Sequence, residues 1–248
     1  MNRTKIEWTD YTWNPVTGCR GGCSYCYARR MAKRLRGRAG YPRANPFNPT
    51  FHQDRINEPY TLKKPSKIFT VSMGDLFGDG IIREVVWDVM KVIIENPRHT
   101  FQVLTKRPEN IIGLTQSIRG FPPNLWLGVS ITQQDQVLNA RLLNEIKFQK
   151  PGGWHPFISF EPVQGMIDHF DGTNIELAII GMETGNRKDK VVPDTAWIKH
   201  LARTLQAKRI PIIWKNNIFP IYEEMNKQLI MSEMDLNAGI PWTTEWPR

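Results

Sequence analysis

The chain has 248 residues, 40% hydrophobic and 23% charged, a balance that excludes wholesale disorder and supplies enough apolar side chain for one large α/β core or two small ones. Lys and Arg exceed Asp and Glu by 33 − 24 = 9, an excess that points to a polyanionic partner without identifying it. No apolar run reaches membrane-spanning length and MNRTKIEWTD lacks the apolar stretch of a signal peptide, so a cytoplasmic location and no membrane partner are expected.

In chain order, a first, less regular strand is expected over Thr12 to Val16. It overlaps the turn-prone run Asn14-Pro15-Val16-Thr17-Gly18, which leads to the cysteines. A helix opens near Ser24 and cannot continue through Gly40-Tyr41-Pro42 and Asn45-Pro46-Phe47. From residue 67 short apolar runs alternate with helical patterns, the signature of a parallel sheet with crossover helices. The runs are 67–73, 101–105, 125–131, 157–161, 176–181 and 210–215.

Between them, Ile82, Val85, Val86, Val89 and Ile93 share one helical face that ends before Pro97. A weaker helix over 107–118 carries Gly113, another pattern covers 137–146, and Asp194 caps one with Ile198, Leu201, Ala202 and Leu205 on its inner face. The interval 161–176 leaves little room for a full helix. No repeat, low-complexity tract or linker marks a boundary, so 1–248 reads as a single domain with a basic segment at 29–64 and a covering tail at 217–248.

Polar residues end nearly every run: Asp75, Thr105 and Lys106, Ser130 and Thr132, Glu161, Glu183, and Lys215 with Asn216. In parallel sheets and α/β barrels ligands sit at the carboxyl ends of the strands, which predicts one polar mouth. Taken singly, each of these residues is equally well a solvated strand end.

Cys19, Cys23 and Cys26 are the only cysteines, odd in number and within eight residues, which argues against a disulfide framework. Gly18, Gly21 and Gly22 let the backbone curl so that three sulfurs can meet one inorganic centre. Three thiolates can hold three irons of a cubane cluster and leave the fourth open. Zinc with His52 as a further ligand, a catalytic cysteine with two bystanders, and three core cysteines are the competing readings.

The C-x3-C-x2-C spacing with Tyr25 before the last cysteine resembles the signature of the radical S-adenosylmethionine superfamily. The segments IEWTDYTWNPVTGC, CYARR, GDLFG, LTKRP, WLGVSI, FEPVQG and IIGMETG resemble, more narrowly, a phage-associated three-cysteine group within or close to it. The resemblance implies a partial (β/α) barrel of six or seven mostly parallel strands. It also implies a [4Fe–4S] cluster held by Cys19, Cys23 and Cys26, S-adenosyl-L-methionine as cofactor, and a reductase or a flavodoxin- or ferredoxin-type electron donor. Tyr25 would pack near the adenine. In the stretch Ser72-Met73-Gly74-Asp75, Gly74 and Asp75 match a Gly-Gly-Glu-type turn that receives the methionine amino group, with one Gly missing and Asp in place of Glu. Ser130 matches a ribose-contacting position, and Gly181 and Met182 a turn whose backbone approaches the adenosyl portion.

Lys106, Glu161, Glu183 and Lys215 are the candidate catalytic residues. The lysines would neutralise substrate phosphate or carboxylate or the reduced cluster, and Glu161 would orient a hydroxyl. Alternatively, Lys106–Glu161 or Lys215–Glu183 pairs merely neutralise a buried mouth. Residues 29–64 hold ten basic side chains against Asp54 and Glu58, with Arg34, Arg36 and Arg38 as candidate nucleic-acid contacts and Tyr41, Phe47 or Phe51 as base-stacking aromatics. A solvated helix face and surface loop is the plain alternative. The leading functional expectation is a radical enzyme that modifies or repairs a nucleic-acid base or nucleotide. A peptide or small-molecule substrate, or a non-catalytic metal-containing nucleic-acid-binding module, are the alternatives.

Overall fold

The computed structural model describes residues 1–231, and the rest of the expected covering tail lies outside the described residues. β1 (Asn2–Arg3) pairs antiparallel with β2 (Tyr11–Trp13). β3 (Val16–Thr17) precedes the cysteines, α1 (Tyr27–Arg34) follows them, and β4 (Thr50–Phe51) returns to pair antiparallel with β3. Strand and helix then alternate through β5 (Lys67–Thr70), α2 (Arg83–Glu95), β6 (Thr100–Thr105), α3 (Ile111–Leu114), β7 (Leu125–Ser130), α4 (Leu138–Gln149) and β8 (His155–Phe160). The chain continues through β9 (Leu177–Ile180), α5 (Thr195–Ala207), β10 (Ile212–Trp214) and α6 (Phe219–Met231).

The main sheet has the order β1-β2-β5-β6-β7-β8-β9-β10, and each neighbouring pair from β2 to β10 is parallel. The fold is a partial (β/α) barrel, whose seven parallel strands lie on the seven expected runs. Asp194 caps α5 as expected, its Oδ1 accepting from Ala196 N at 2.7 Å. The expected helix at 107–118 shrinks to a 3-10 turn and the single turn of α3, because Thr115 bonds its hydroxyl back to Ile111 O at 2.7 Å after the flexible Gly113. β1 and the β3–β4 ladder, with two residues in each strand, are too short to stand out in sequence, and α6 falls within the expected tail at 217–248. Among the described residues no helix is long and apolar enough to cross a membrane.

Side chains alternate across each strand, and this alternation divides the interior into two layers. Phe101 and Val103, Leu127 and Val129, Ile158 and Phe160, and Ala178 and Ile180 pack in one cluster with Val89 of α2, Leu143 of α4 and Leu201 of α5. The opposite face puts Trp126, Phe157, Leu177, Ile179 and Ile213 in a second cluster that Trp8 closes from the N-terminal segment. A Cβ at Gly128 would lie 2.5 Å from the Phe157 ring, so this strand position must stay bare. Two residues further on, the same inward face carries Ser130, Ser159 and Lys215 in place of apolar residues.

The basic segment folds back onto the barrel. Ala28 and Ala32 of α1 bury against Tyr41 and Phe47, which are 5% and 7% exposed, and Phe51 packs against the main core from β4. Tyr41 and Phe47 are therefore packing residues and not exposed base-stacking platforms, while Phe51 is half-buried. His52 does not join the cysteines: it is 5% exposed and its Nε2 meets Thr17 Oγ1 at 2.7 Å across the β3–β4 ladder. Arg55 completes the attachment, with its backbone carbonyl accepting from Trp13 Nε1 at 2.8 Å and its guanidinium donating to Asn14 O at 3.3 Å.

Burial, with the charge of Arg55 adding to it, depresses the His52 imidazole to about 4. A histidine held neutral in the fold takes up its proton more readily when unfolded, so this contribution to stability falls as the pH drops from about 6.5 to about 4. We expect the His52 ring carbons to show no NMR titration between pH 7 and pH 5, and His52→Gln to flatten that part of the stability profile.

Candidate functional site

The cysteine segment is fastened to the end of β5 by two glycines. Gly18 N donates to Met73 O at 2.9 Å, and Gly18 and Gly74 form a parallel bridge. Gly18 has φ +85°, its Cβ would sit 2.2 Å from Asn48 O, and a Cβ at Gly74 would sit 2.7 Å from Gly18 O. Only residues without side chains let the chains approach this closely. Asn14 Oδ1 supports the same turn, accepting from Met73 N at 2.8 Å and Ser72 Oγ at 3.2 Å.

Beyond Gly18 the three thiols are free and half-buried. Cys19 Sγ accepts from Gly21 N at 3.1 Å, and Cys26 caps α1 with its Sγ accepting from Arg29 N at 3.3 Å. Burial pushes the Cys19 thiol up, and the nearby Asp75 carboxylate acts in the same direction against the Gly21 N–H. All three line a cavity of about 860 Å³ at the carboxyl ends of the parallel strands.

Most of the expected site residues line that cavity: Tyr25, Gly74, Asp75, Lys106, Ser130, Glu161, Met182, Glu183 and Lys215. Gly181 lies just behind the lining and acts as a spacer. Its Cβ would meet Lys215 Cγ at 2.8 Å and Glu161 Oε1 at 2.9 Å. Arg34, Arg36 and Arg38 are exposed and outside the lining.

The pairing within the mouth differs from the expected Lys106–Glu161 and Lys215–Glu183 contacts. Lys215 Nζ lies 3.0 Å from Glu7 Oε2 and 3.3 Å from Glu161 Oε1. Lys106 Nζ instead donates to the Tyr25 hydroxyl at 2.8 Å and sits 5.0 Å from the centre of that ring, tying the cysteine segment to β6. Glu183 is held by Arg187 at 2.8 and 2.9 Å. With two carboxylates on one ammonium, Lys215 has no charge free for a substrate phosphate, which corrects that part of its expected role.

Asp75 is largely engaged by the protein itself. Its carboxylate accepts from Phe77 N at 3.1 Å, Thr105 Oγ1 at 2.7 Å and Lys106 N at 3.0 Å, which uses three of about four acceptor sites. Burial pushes its carboxyl up against those three donors.

Sequence reasoning missed Glu7, Asn14 and Ser159. Ser159 was open to discovery, being two residues before Glu161 on one strand face, and its Oγ donates to Glu161 Oε2 at 3.3 Å. Glu7 carries no local signal. It reaches the mouth because Trp8 is drawn across the concave face, its ring tilted against Phe69 at 4.7 Å between centroids and its carbonyl held by Gln102 Nε2 at 3.0 Å.

Burial works against the Lys215 ammonium, but Glu161 and Glu7 outweigh it and hold the amine above its ordinary value. That stability is present below the ordinary lysine range and is lost as pH rises through the raised value. Burial also opposes ionisation of Glu7, yet its backbone N–H and Lys215 hold it below the ordinary value, so its contribution is lost as pH falls through that lowered value. Lys215→Met should therefore destabilise the fold by about 3 kcal/mol near neutral pH, less below about pH 4 where the orphaned carboxylates take up protons. Gly181→Ala, which wedges the pair apart, should cost about 1–3 kcal/mol. Urea unfolding across pH checks both.

Solved structures similar to this chain include spore photoproduct lyase complexed with dinucleoside spore photoproduct, at 12% identity and a TM-score of 0.46. A double mutant of spore photoproduct lyase with bound AdoMet and dinucleoside spore photoproduct gives 14% identity and a TM-score of 0.46. Each alignment covers 95% of this chain, which spans 65% of the length of those structures. No curated protein matches. The model of the family described as protein of unknown function (DUF5131) matches residues 3–230, from β1 into α6, and the chain belongs to that family.

Proposed function

We propose that this protein is a radical S-adenosylmethionine enzyme that acts on a nucleic-acid base or nucleotide. The observation that carries the reading is the opening of three free thiols, in C-x3-C-x2-C spacing, onto the same strand-end cavity as Ser130, Ser159, Glu161 and Lys215. In a cubane cluster each thiolate takes its own iron, so three thiols around one cavity suit such a cluster. The backbone N–H groups on Cys19 and Cys26 are of the kind that tune a cluster's potential.

Cys19, Cys23 and Cys26 would hold the cluster, with S-adenosylmethionine on its open iron. When bound, these groups would supply one-electron reductive chemistry at a carbon–sulfur bond, with the electron coming from an external reductase or a flavodoxin- or ferredoxin-type donor. The protein's own part is orientation and exclusion of water. Lys106 fixes the ring of Tyr25 beside the cysteines. Ser130 and Ser159 present hydroxyls on the inward face, and Asp75 keeps one acceptor site while bracing the turns after β5 and β6. The Glu7–Lys215–Glu161 group offers two carboxylates to hydroxyl or amino donors. The exposed Arg34, Arg36 and Arg38 beside α1 supply attraction for phosphate.

Anaerobic reconstitution with iron and sulfide, followed by reduction with S-adenosylmethionine, should load iron and release 5′-deoxyadenosine. Cys19→Ala, Cys23→Ala or Cys26→Ala should each abolish that release. Ser130→Ala should weaken S-adenosylmethionine binding at least several-fold, read by equilibrium binding, with iron content unchanged. Stable zinc with no iron uptake would instead support a non-catalytic metal-containing module.

A further inference from the structure

We infer that the loop between β9 and α5 forms, with α1, a two-sided groove that holds a nucleic-acid backbone across the mouth of the cavity. The inference rests on the nucleic-acid reading above and adds residues that the basic segment does not contain. Arg30, Lys33 and Arg34 are exposed on α1, while Arg187, Lys188 and Lys190, with Asp189 among them, lie more than 150 residues later on the loop. The fold brings the two sets together: a Cβ at Gly185 would sit 3.6 Å from Arg30 Nη2. The charges are also felt in common. Arg187 first, with Arg30 and Lys190 beside it, holds Glu183 below the usual carboxylate range.

The loop is braced for this position. The Glu183 side chain is only 2% exposed and grips Arg187 through both its Nε and Nη2, so the loop is anchored at the cavity wall. Tyr27 and Met31 of α1, its cap Cys26, and Glu183 and Thr184 of the loop line the same cavity, which places the opening between the two basic banks.

The floor has the opposite character. Glu7 and Glu161 on Lys215 leave a net charge of about −1 when all three are ionised, which repels phosphate and accepts hydrogen bonds from uncharged donors. Phosphates thus stay on the banks, and the nucleoside part is the portion that enters.

The test is binding of a labelled single-stranded DNA oligonucleotide to the full-length protein over a salt series. Three proteins are compared: the parent, a bank variant (Arg30→Gln, Lys188→Gln, Lys190→Gln) and a segment variant (Arg34→Gln, Arg36→Gln, Arg38→Gln), with folding checked by circular dichroism. The bank variant should weaken binding and make the slope of log affinity against log salt shallower by about 2, the value for three lost phosphate contacts at about 0.7 each. Lys188→Glu alone, at an exposed position, should weaken binding further than Lys188→Gln. A bank variant with parental affinity and slope, beside a weakened segment variant, overturns the two-sided groove and leaves the nucleic-acid reading standing. No parental binding at low salt overturns both.

Discussion

The backbone contact between Gly18 and Gly74 is the constraint from which the rest of the site follows. A side chain at either position would occupy space already held by Asn48 or by Gly18 itself. With both bare, the loop that carries Cys19 lies against the end of β5, and the turn that follows places Asp75 under Thr105 and Lys106. Lys106 then reaches back to Tyr25, closing a circuit from the cysteines through β5 and β6 and back to the cysteines. Three separate segments are thereby held in one wall of the cavity, at the cost of one buried carboxylate that is satisfied by three donors.

The opposite wall is organised by charge. Lys215, one residue past β10, would be a costly buried cation if it stood alone. Glu161 after β8 and Glu7 from the N-terminal segment share it, and the bare Gly181 after β9 leaves room for the pair. This cluster changes the character of the mouth. What composition suggests is a uniformly basic surface becomes exposed cations outside a floor with excess carboxylate, so the two regions differ in the charge they favour.

Packing explains which residues of the basic segment face solvent. The helix α1 spends Ala28 and Ala32 on Tyr41 and Phe47, and small residues there let the aromatics lie close beneath it. The aromatic side chains that look like base-stacking groups in sequence are consumed as the segment's own small core. His52 and Arg55 are used likewise, the one against Thr17 and the other across Asn14 and Trp13. Most of the segment's cationic side chains remain outside, among them Arg34, Arg36 and Arg38, together with Asp54, Met31 and Tyr60.

The sequence alone determined the parallel α/β architecture, because period-two apolar runs alternating with period-3.6 faces have few other ways to bury themselves. It also determined that polar residues gather at the strand ends, and it put three cysteines within eight residues. Pairing was decided only by tertiary structure. Lys215 meets Glu7 and not Glu183 because Trp8 is pinned over the concave face, a contact between residues that no local period relates. Lys106 turns to Tyr25 for the same reason, 81 positions away in sequence, whereas Glu183 takes the local partner Arg187 four residues on. Strand ends are written in local periodicity, whereas a salt bridge depends on where distant segments cross, and that is settled by packing the whole barrel.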